Sequence, residues 1–223
     1  MSIWADMQTI VTATLSGDIN FSVVKAYRSD GAWFVLGPLT IIGAFLVHYI
    51  YKAVPWIDRN LEKSIVVYTY VIMAGIIFVG VIQRFVFSAQ VPWSTTIPPL
   101  LFMIMAWYGC SFNVKLRTHL SFAEFRTKMS HRGQLACLMV DNVLWMVFAI
   151  IVVTTTARAT VNTYDNFAIV LGTDNVMRWW FMVTMPICFI MLAGRVVGNA
   201  IEDIANYRNG GPMIKQAVIG GDV

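Results

Sequence analysis

The sequence predicts an all-α fold, a polytopic transmembrane helical bundle. Three observations predict it. Hydrophobic residues supply 58% of the 223 positions while charged residues supply only 13%. The mean hydropathy of +0.67 lies far from the balance of a soluble domain. Five stretches stay uncharged, or nearly so, over the roughly 20 residues that a helix needs to cross about 30 Å of hydrocarbon. The net charge of +4 does not point to nucleic acid, because Lys and Arg fall in short clusters between apolar stretches rather than along one face.

The elements follow in chain order. Ile3, Trp4, Met7, Ile10, Val11 and Leu15 recur at three- and four-residue spacing, one apolar stripe of a helix that either lies on the membrane surface or packs on the other segments. Met1 to Asp30 lacks the basic start and continuous apolar core of a cleavable signal, so this stretch is expected to stay in the mature protein. The first apolar segment, Gly31 to Tyr51, either spans the membrane or lies in its interface. The second runs from Ser64 to Gln83. The third runs from Thr96 to Val114, with Pro98 and Pro99 tolerated in a first turn whose N–H groups lack helical partners. The fourth, Leu135 to Ala157, carries one carboxylate at Asp141. The fifth, Trp179 to Gly194, is short, and Arg178 and Arg195 beside it are expected to snorkel toward the interfaces. Ile201, Ile204 and Ala205 then alternate with Glu202, Asp203 and Asn206 as a continuation of that helix, until Gly210, Gly211 and Pro212 stop it.

Loop charge orients the bundle, since cytoplasmic loops are enriched in Lys and Arg. Lys52, Arg59 and Lys63 lie between segments one and two. Lys115, Arg117, Arg126, Lys128 and Arg132 lie between three and four, and Arg208 and Lys215 follow five. Ser88 to Thr95 and Thr160 to Asn175 contain no Lys or Arg. Five spans with this polarity put the C-terminus in the cytoplasm and the N-terminus outside, unless the first segment lies in the interface instead of crossing.

Chemistry-bearing motifs are sparse. His48 is the one histidine inside an apolar segment, and His119 and His131 belong to a basic loop, so no intramembrane pair is set to ligate haem. Paired CxxC cysteines, a Gly-rich phosphate loop and a nucleophile elbow are also missing from the sequence. Cys110, Cys137 and Cys188 all fall in apolar runs and read as buried, inert thiols. No enzyme activity, cofactor or metal is expected.

A few polar residues stand out as candidate contact sites. Asp141 is the carboxylate within a span, and pairing with Arg117, Arg195 or a partner subunit competes with an ion or proton site. Pro186 removes an N–H that would otherwise reach the carbonyl of Met182, which reads as a kink or, alternatively, part of a substrate site. Arg84 and Trp93 sit where arginine and aromatic residues gather at membrane interfaces, as anchors or as contacts to a partner protein or lipid headgroup.

From Leu61 to about Arg208 the order of landmarks resembles the small membrane subunit (DctQ type) of TRAP, tripartite ATP-independent periplasmic, transporters. Leu61-Glu62 opens a helix that ends in Gln83-Arg84-Phe85-Val86-Phe87, and Trp93-Ser94 starts the next. Gly109 precedes a basic turn with Arg117 and His119-Leu120. Asp141 falls where the family's third helix often carries an acidic residue, and Met185-Pro186-Ile187-Cys188-Phe189 resembles its Leu-Pro-x-x-Phe stretch. There are departures. Thr95 and Thr96 stand where the family commonly has acidic residues, so a charge pair for Arg84 must come from elsewhere. Ala123, with Glu124 beside it, replaces an Asp common after the His. The Gly31 to Tyr51 segment exceeds the family's four-helix plan.

Apolar spacing and loop charge give residues 1–30 as an amphipathic periplasmic segment and 209–223 as a cytoplasmic tail, while the resemblance implies 61–208 as the four-helix unit of a bacterial inner-membrane protein, with 31–60 as an added membrane helix and linker. It further implies a system in which a periplasmic substrate-binding protein delivers an organic acid to a large permease subunit driven by sodium. This chain would be the scaffold, in contact with the large permease, the binding protein and membrane phospholipids, and with no nucleic acid. Arg84, Trp93, Arg117, His119, Asp141 and Pro186 are its expected partner or lipid contacts. The alternatives are an unrelated membrane scaffold or assembly subunit, a self-sufficient transporter, and a redox anchor.

Overall fold

The computed structural model describes residues 3–17, 19–117 and 126–213. It is helical almost throughout. Two short helices, α1 (Ile3–Ser16) and α2 (Phe21–Arg28), precede α3 (Gly31–Ala53) and α4 (Pro55–Val86). A 3-10 turn at Pro92–Ser94 leads into α5 (Ile97–Leu116), and α6 (His131–Asp165), a single turn α7 (Trp179–Met182) and α8 (Thr184–Arg208) complete the order. The five long helical stretches are each long and apolar enough to cross a membrane. Gly31–Ala53, the segment beyond the four-helix plan, is one of them.

Helices outrun the apolar segments at both ends, because hydropathy marks the lipid-exposed length and not where the helical hydrogen bonds stop. Pro55 starts α4 in its first turn, where the missing N–H costs nothing. At about 1.5 Å per residue, its 32 residues measure about 48 Å. Helix α6 starts at an N-cap, Ser130, whose hydroxyl accepts from the Gly133 N–H. It continues past Ala157 through a polar stretch in which Thr156, Thr160 and Thr163 donate to carbonyls one turn back. Gly210, at φ +66°, lies just beyond α8, as the sequence predicts for its stop. The connection from α6 to α7 makes a small hairpin with one antiparallel bridge, Ile169 to Met177.

Helix α8 is the axis of the bundle. Of its apolar window 56% of residues are buried, against 6% for α4. Phe189, Leu192, Ala193 and Val196 of α8 meet Ala44 of α3, Val114 of α5 and Ala149 and Val153 of α6 in one cluster. Close approach of α3 to α8 depends on glycine. A Cβ on Gly194 would lie 2.6 Å from Val47 Cγ1, one on Gly43 2.9 Å from Ile190 Cγ2, and one on Gly198 3.2 Å from His48 Nδ1. Small residues permit such contact in the absence of a hydrophobic drive between helices in lipid.

Those pairs ascend together, so α3 runs parallel to α8. The pairs Asn142 with Asp203 and Phe148 with Phe189 descend, so α6 runs antiparallel to it. The pairs Glu62 with Ser111 and Gly80 with Ser94 set α4 antiparallel to α5. The α3–α4 turn, the connection from α5 to α6 and the end of α8 therefore share one end of the bundle, which collects the basic loops. The α4–α5 and α6–α7 connections share the other, together with α1 and α2.

Helix α1 divides the expected stripe. Ile10 and Ala13 join Val23, Val24 and Tyr27 of α2, Leu36 of α3 and Val161 of α6 in a second core. Ile3, Trp4 and Val11 point away and are 50%, 75% and 44% exposed. Asp6, Ile10 and Ala13 form the inward face, because Gly31 admits the start of α1 so closely that a Cβ there would stand 3.2 Å from Asp6 Cβ.

Candidate functional site

A charge cluster lies at the basic end, among four helices. Arg195 of α8 is 6% exposed and Glu62 of α4 is 2% exposed. The guanidinium grips both oxygens of the carboxylate, Nε to Oε1 at 3.1 Å and Nη2 to Oε2 at 3.0 Å, the fork geometry that makes arginine pairs directional. Arg195 also pairs with the Asp58 carboxylate and donates to the Asp58 carbonyl oxygen at 3.0 Å. Ser111 of α5 donates to Glu62 at 2.7 Å, and Lys115 of α5 reaches Asp58 Oδ2 at 3.2 Å. The Tyr51 ring of α3 closes the cluster, its centroid 3.7 Å from the guanidinium carbon. Charges taken out of water are tolerable only when so fully paired. Arg195 therefore does not extend to an interface as its place after the fifth segment suggests. It fastens α4 to α8.

A second cluster holds the end of α5. Arg117 takes the left-handed conformation at φ +55° and bonds Asp203 at 2.5 Å, Glu202 at 3.3 Å and the Asn199 carbonyl at 3.2 Å. Asn142 of α6 donates to the other Asp203 oxygen at 3.1 Å. Asp141 pairs with neither Arg117 nor Arg195. Its partner is Arg126, at 2.5 and 3.1 Å, and these hydrogen bonds raise the guanidinium above its ordinary pKa. Arg117 and Arg195 are taken by nearer carboxylates on α8 and α4. The turn carrying Arg126 folds back beside the first turns of α6, where Asp141 lies.

The other predicted contacts lie elsewhere. His119, Ala123 and Glu124 fall outside the described residues. Arg84 and Trp93 are at the opposite end, where Arg84 is exposed in a cleft of about 370 Å³ with Ile77, Phe85, Ser94 and Pro98. Its guanidinium lies 5.9 Å from the Phe85 ring, and none of the described carboxylates pairs with it. Trp93 forms the middle of the 3-10 turn, upstream of α5 rather than within it. Beside that turn, Thr96 donates to the Leu171 carbonyl at 2.7 Å, and Gly172, at φ +82°, approaches Pro92 so closely that a Cβ would be 2.7 Å from its carbonyl carbon. Pro186 has no N–H for the Met182 carbonyl, and the helical hydrogen bonding is interrupted there, between α7 and α8, while Val183 keeps right-handed helical angles (φ −64°, ψ −23°) and donates to the Trp179 carbonyl at 2.9 Å.

Of the predicted residues, Arg117 and Asp141 share the basic end with Glu62, Asp58, Lys115 and Asp203, whose pairing was not read from the sequence. A signal existed for Glu62 and Asp203, since each carboxylate sits among apolar residues at helical spacing. Their arginine partners are 133 and 86 residues away in the chain, which no local pattern encodes. Among the described residues, no group of three or more His, Cys, Asp or Glu is placed to hold a metal. The arrangement joins helices and leaves one of them, α4, largely uncovered.

Comparison with known proteins agrees with the landmarks. No curated protein matches the chain. The family model described as "Tripartite ATP-independent periplasmic transporters, DctQ component" matches residues 73–206, more than half of the sequence and all of α5 to α7. The chain belongs to the DctQ component family of the tripartite ATP-independent periplasmic transporters, as a small, multi-pass permease subunit.

Proposed function

We propose that this subunit scaffolds the large permease subunit and helps to dock the periplasmic substrate-binding protein, in a system for sodium-coupled uptake of an organic acid. The observation that carries the scaffold reading is the outlying position of α4. It is bound to the bundle along one flank and by the Arg195 cluster, yet Tyr68, Val71, Ile72, Phe78 and Val79 are each more than half exposed. A Cβ on Gly75, in the middle of that face, would meet nothing within 4 Å. In lipid, helices associate through van der Waals contact and small residues, so a rigid, notched apolar face suits a second membrane subunit. The sodium coupling and the organic acid are carried by family resemblance.

The basic loops gathered at one end support a cytoplasmic C-terminus. The opposite end then faces the periplasm. There Phe87, Phe167 and Leu171 are 70%, 72% and 80% exposed around the joined 3-10 turn and hairpin, an apolar surface suited to the binding protein.

Capture of the full chain through a C-terminal tag, in mild detergent from its native membrane, tests the scaffold reading. The expected result is stoichiometric recovery of one large permease, and loss of that partner from Gly75→Trp while the variant itself stays folded. Recovery of the chain alone, or full retention by Gly75→Trp, overturns respectively the scaffold reading and the assignment of the α4 face.

A further inference from the structure

We propose that the cavity between α3, α5 and α8 at the basic end binds the phosphate headgroup of an anionic phospholipid. The cavity measures about 250 Å³ and is lined by His48 and Lys52 of α3, Lys115 of α5, Arg195 and Gly198 of α8, and Asp58 of α4. Three permanent cations thus face one lining carboxylate. Asp58 is shared by Arg195 and Lys115, and Glu62 takes the rest of Arg195. Lys52 is left exposed at the mouth, and none of the described carboxylates pairs with it. His48 is half-buried beside it, seated against the bare backbone of Gly198.

Placement on α3 favours a lipid over a soluble anion. Ile41, Phe45, His48 and Lys52 follow one another at steps of four, three and four residues, so they share one face of the helix. Ile41 and Phe45, 40% and 48% exposed, continue that face toward the middle of the span. A headgroup at Lys52 and His48 would leave its acyl chains lying along Phe45 and Ile41. Basic pockets between membrane helices select anionic lipid headgroups for this reason: charge at the interface, apolar wall beneath. Helix α3 is outside the matched family region, and the site rests on the basic end lying at a membrane surface, not on transport.

The test uses the full chain, purified in neutral detergent and washed free of lipid, with native mass spectrometry reading what rebinds. Cardiolipin, phosphatidylglycerol, phosphatidylethanolamine and inorganic phosphate are offered separately. One anionic lipid per chain is expected. With about 1 kcal/mol per basic residue near a lipid surface, Lys52→Gln should weaken it about five-fold and Lys52→Glu about thirty-fold. Lys63→Glu, the same charge reversal at the same end but outside the cavity, should leave it unchanged. Because Lys52 is exposed, the variants keep the parent's helicity and elution volume, and this is checked alongside. Equal weakening by Lys63→Glu shows diffuse attraction and overturns the site. So do equal binding of phosphatidylethanolamine, absence of bound lipid in the parent, or inorganic phosphate occupying the cavity in place of lipid.

Discussion

Arg195 and Glu62, 133 positions apart in the chain, meet through two parallel hydrogen bonds with the arginine 6% and the glutamate 2% exposed. The pair joins the helix with the most buried apolar window to the one with the least. The proposed scaffold role requires that α4 be kept from drifting in the lipid plane, and apolar contact alone discriminates poorly between protein and acyl chains. The ion pair supplies direction.

Removing one partner of such a pair strands the other, at a cost of about 3–5 kcal/mol. For a chain of this size, Glu62→Ala should lower the melting temperature in detergent by about 10 °C. The double replacement Glu62→Leu with Arg195→Met should lose less than Glu62→Ala alone, since it removes the buried charge as well. A single variant melting like the parent would mean that the pair does not fasten α4.

The two aspartates, Asp203 near the end of α8 and Asp141 in the first turns of α6, should behave differently. The Asp203 side chain is 1% exposed and holds both Arg117 and Asn142. Asp141 and Arg126 are 27% and 20% exposed, and among the described residues their side chains hold only each other. Asp203→Ala should destabilise by about 3 kcal/mol, and Asp141→Ala by less than about 1 kcal/mol. Parallel unfolding curves in one detergent decide it, and a reversed order would contradict the burial.

Glycines on the two faces of the bundle give a matched comparison. Gly194→Ala forces a methyl to within 2.6 Å of Val47 and 3.2 Å of the Ala44 carbonyl, so overpacking should cost about 1–3 kcal/mol. Gly75→Ala enters open space and should stabilise the isolated subunit by up to about 1 kcal/mol through helix propensity. Thermal melting of the two variants measures both signs.

Orientation can be read with a membrane-impermeant maleimide on whole cells. Gln90→Cys, exposed at the end without basic loops, should label in intact cells. Asn209→Cys, exposed just beyond α8, should label only after permeabilisation. The opposite pattern would invert the bundle.

Much of this protein is legible in sequence because lipid imposes a length and a polarity that read linearly. Each apolar stretch from Gly31 onward corresponds to a helix long enough to cross a membrane, and the stop at Gly210 follows from backbone conformation alone. Helix ends were less visible. The lower turns of α4 and the upper turns of α6 are polar but keep their internal hydrogen bonds, and α2 is too short and mixed to carry a period.

Residue roles divide along the same line. Sequence by itself determined the five apolar segments, the clustering of basic residues between alternate segments and the family landmarks, because these depend on composition within a helix length or less. Tertiary structure alone decided that Arg195 turns inward to Glu62, that Asp141 takes Arg126, and that Gly43, Gly194 and Gly198 seat α3 against α8. Those choices are made by which carboxylate or backbone is nearest once five helices stand side by side, a distance that separation along the chain does not encode.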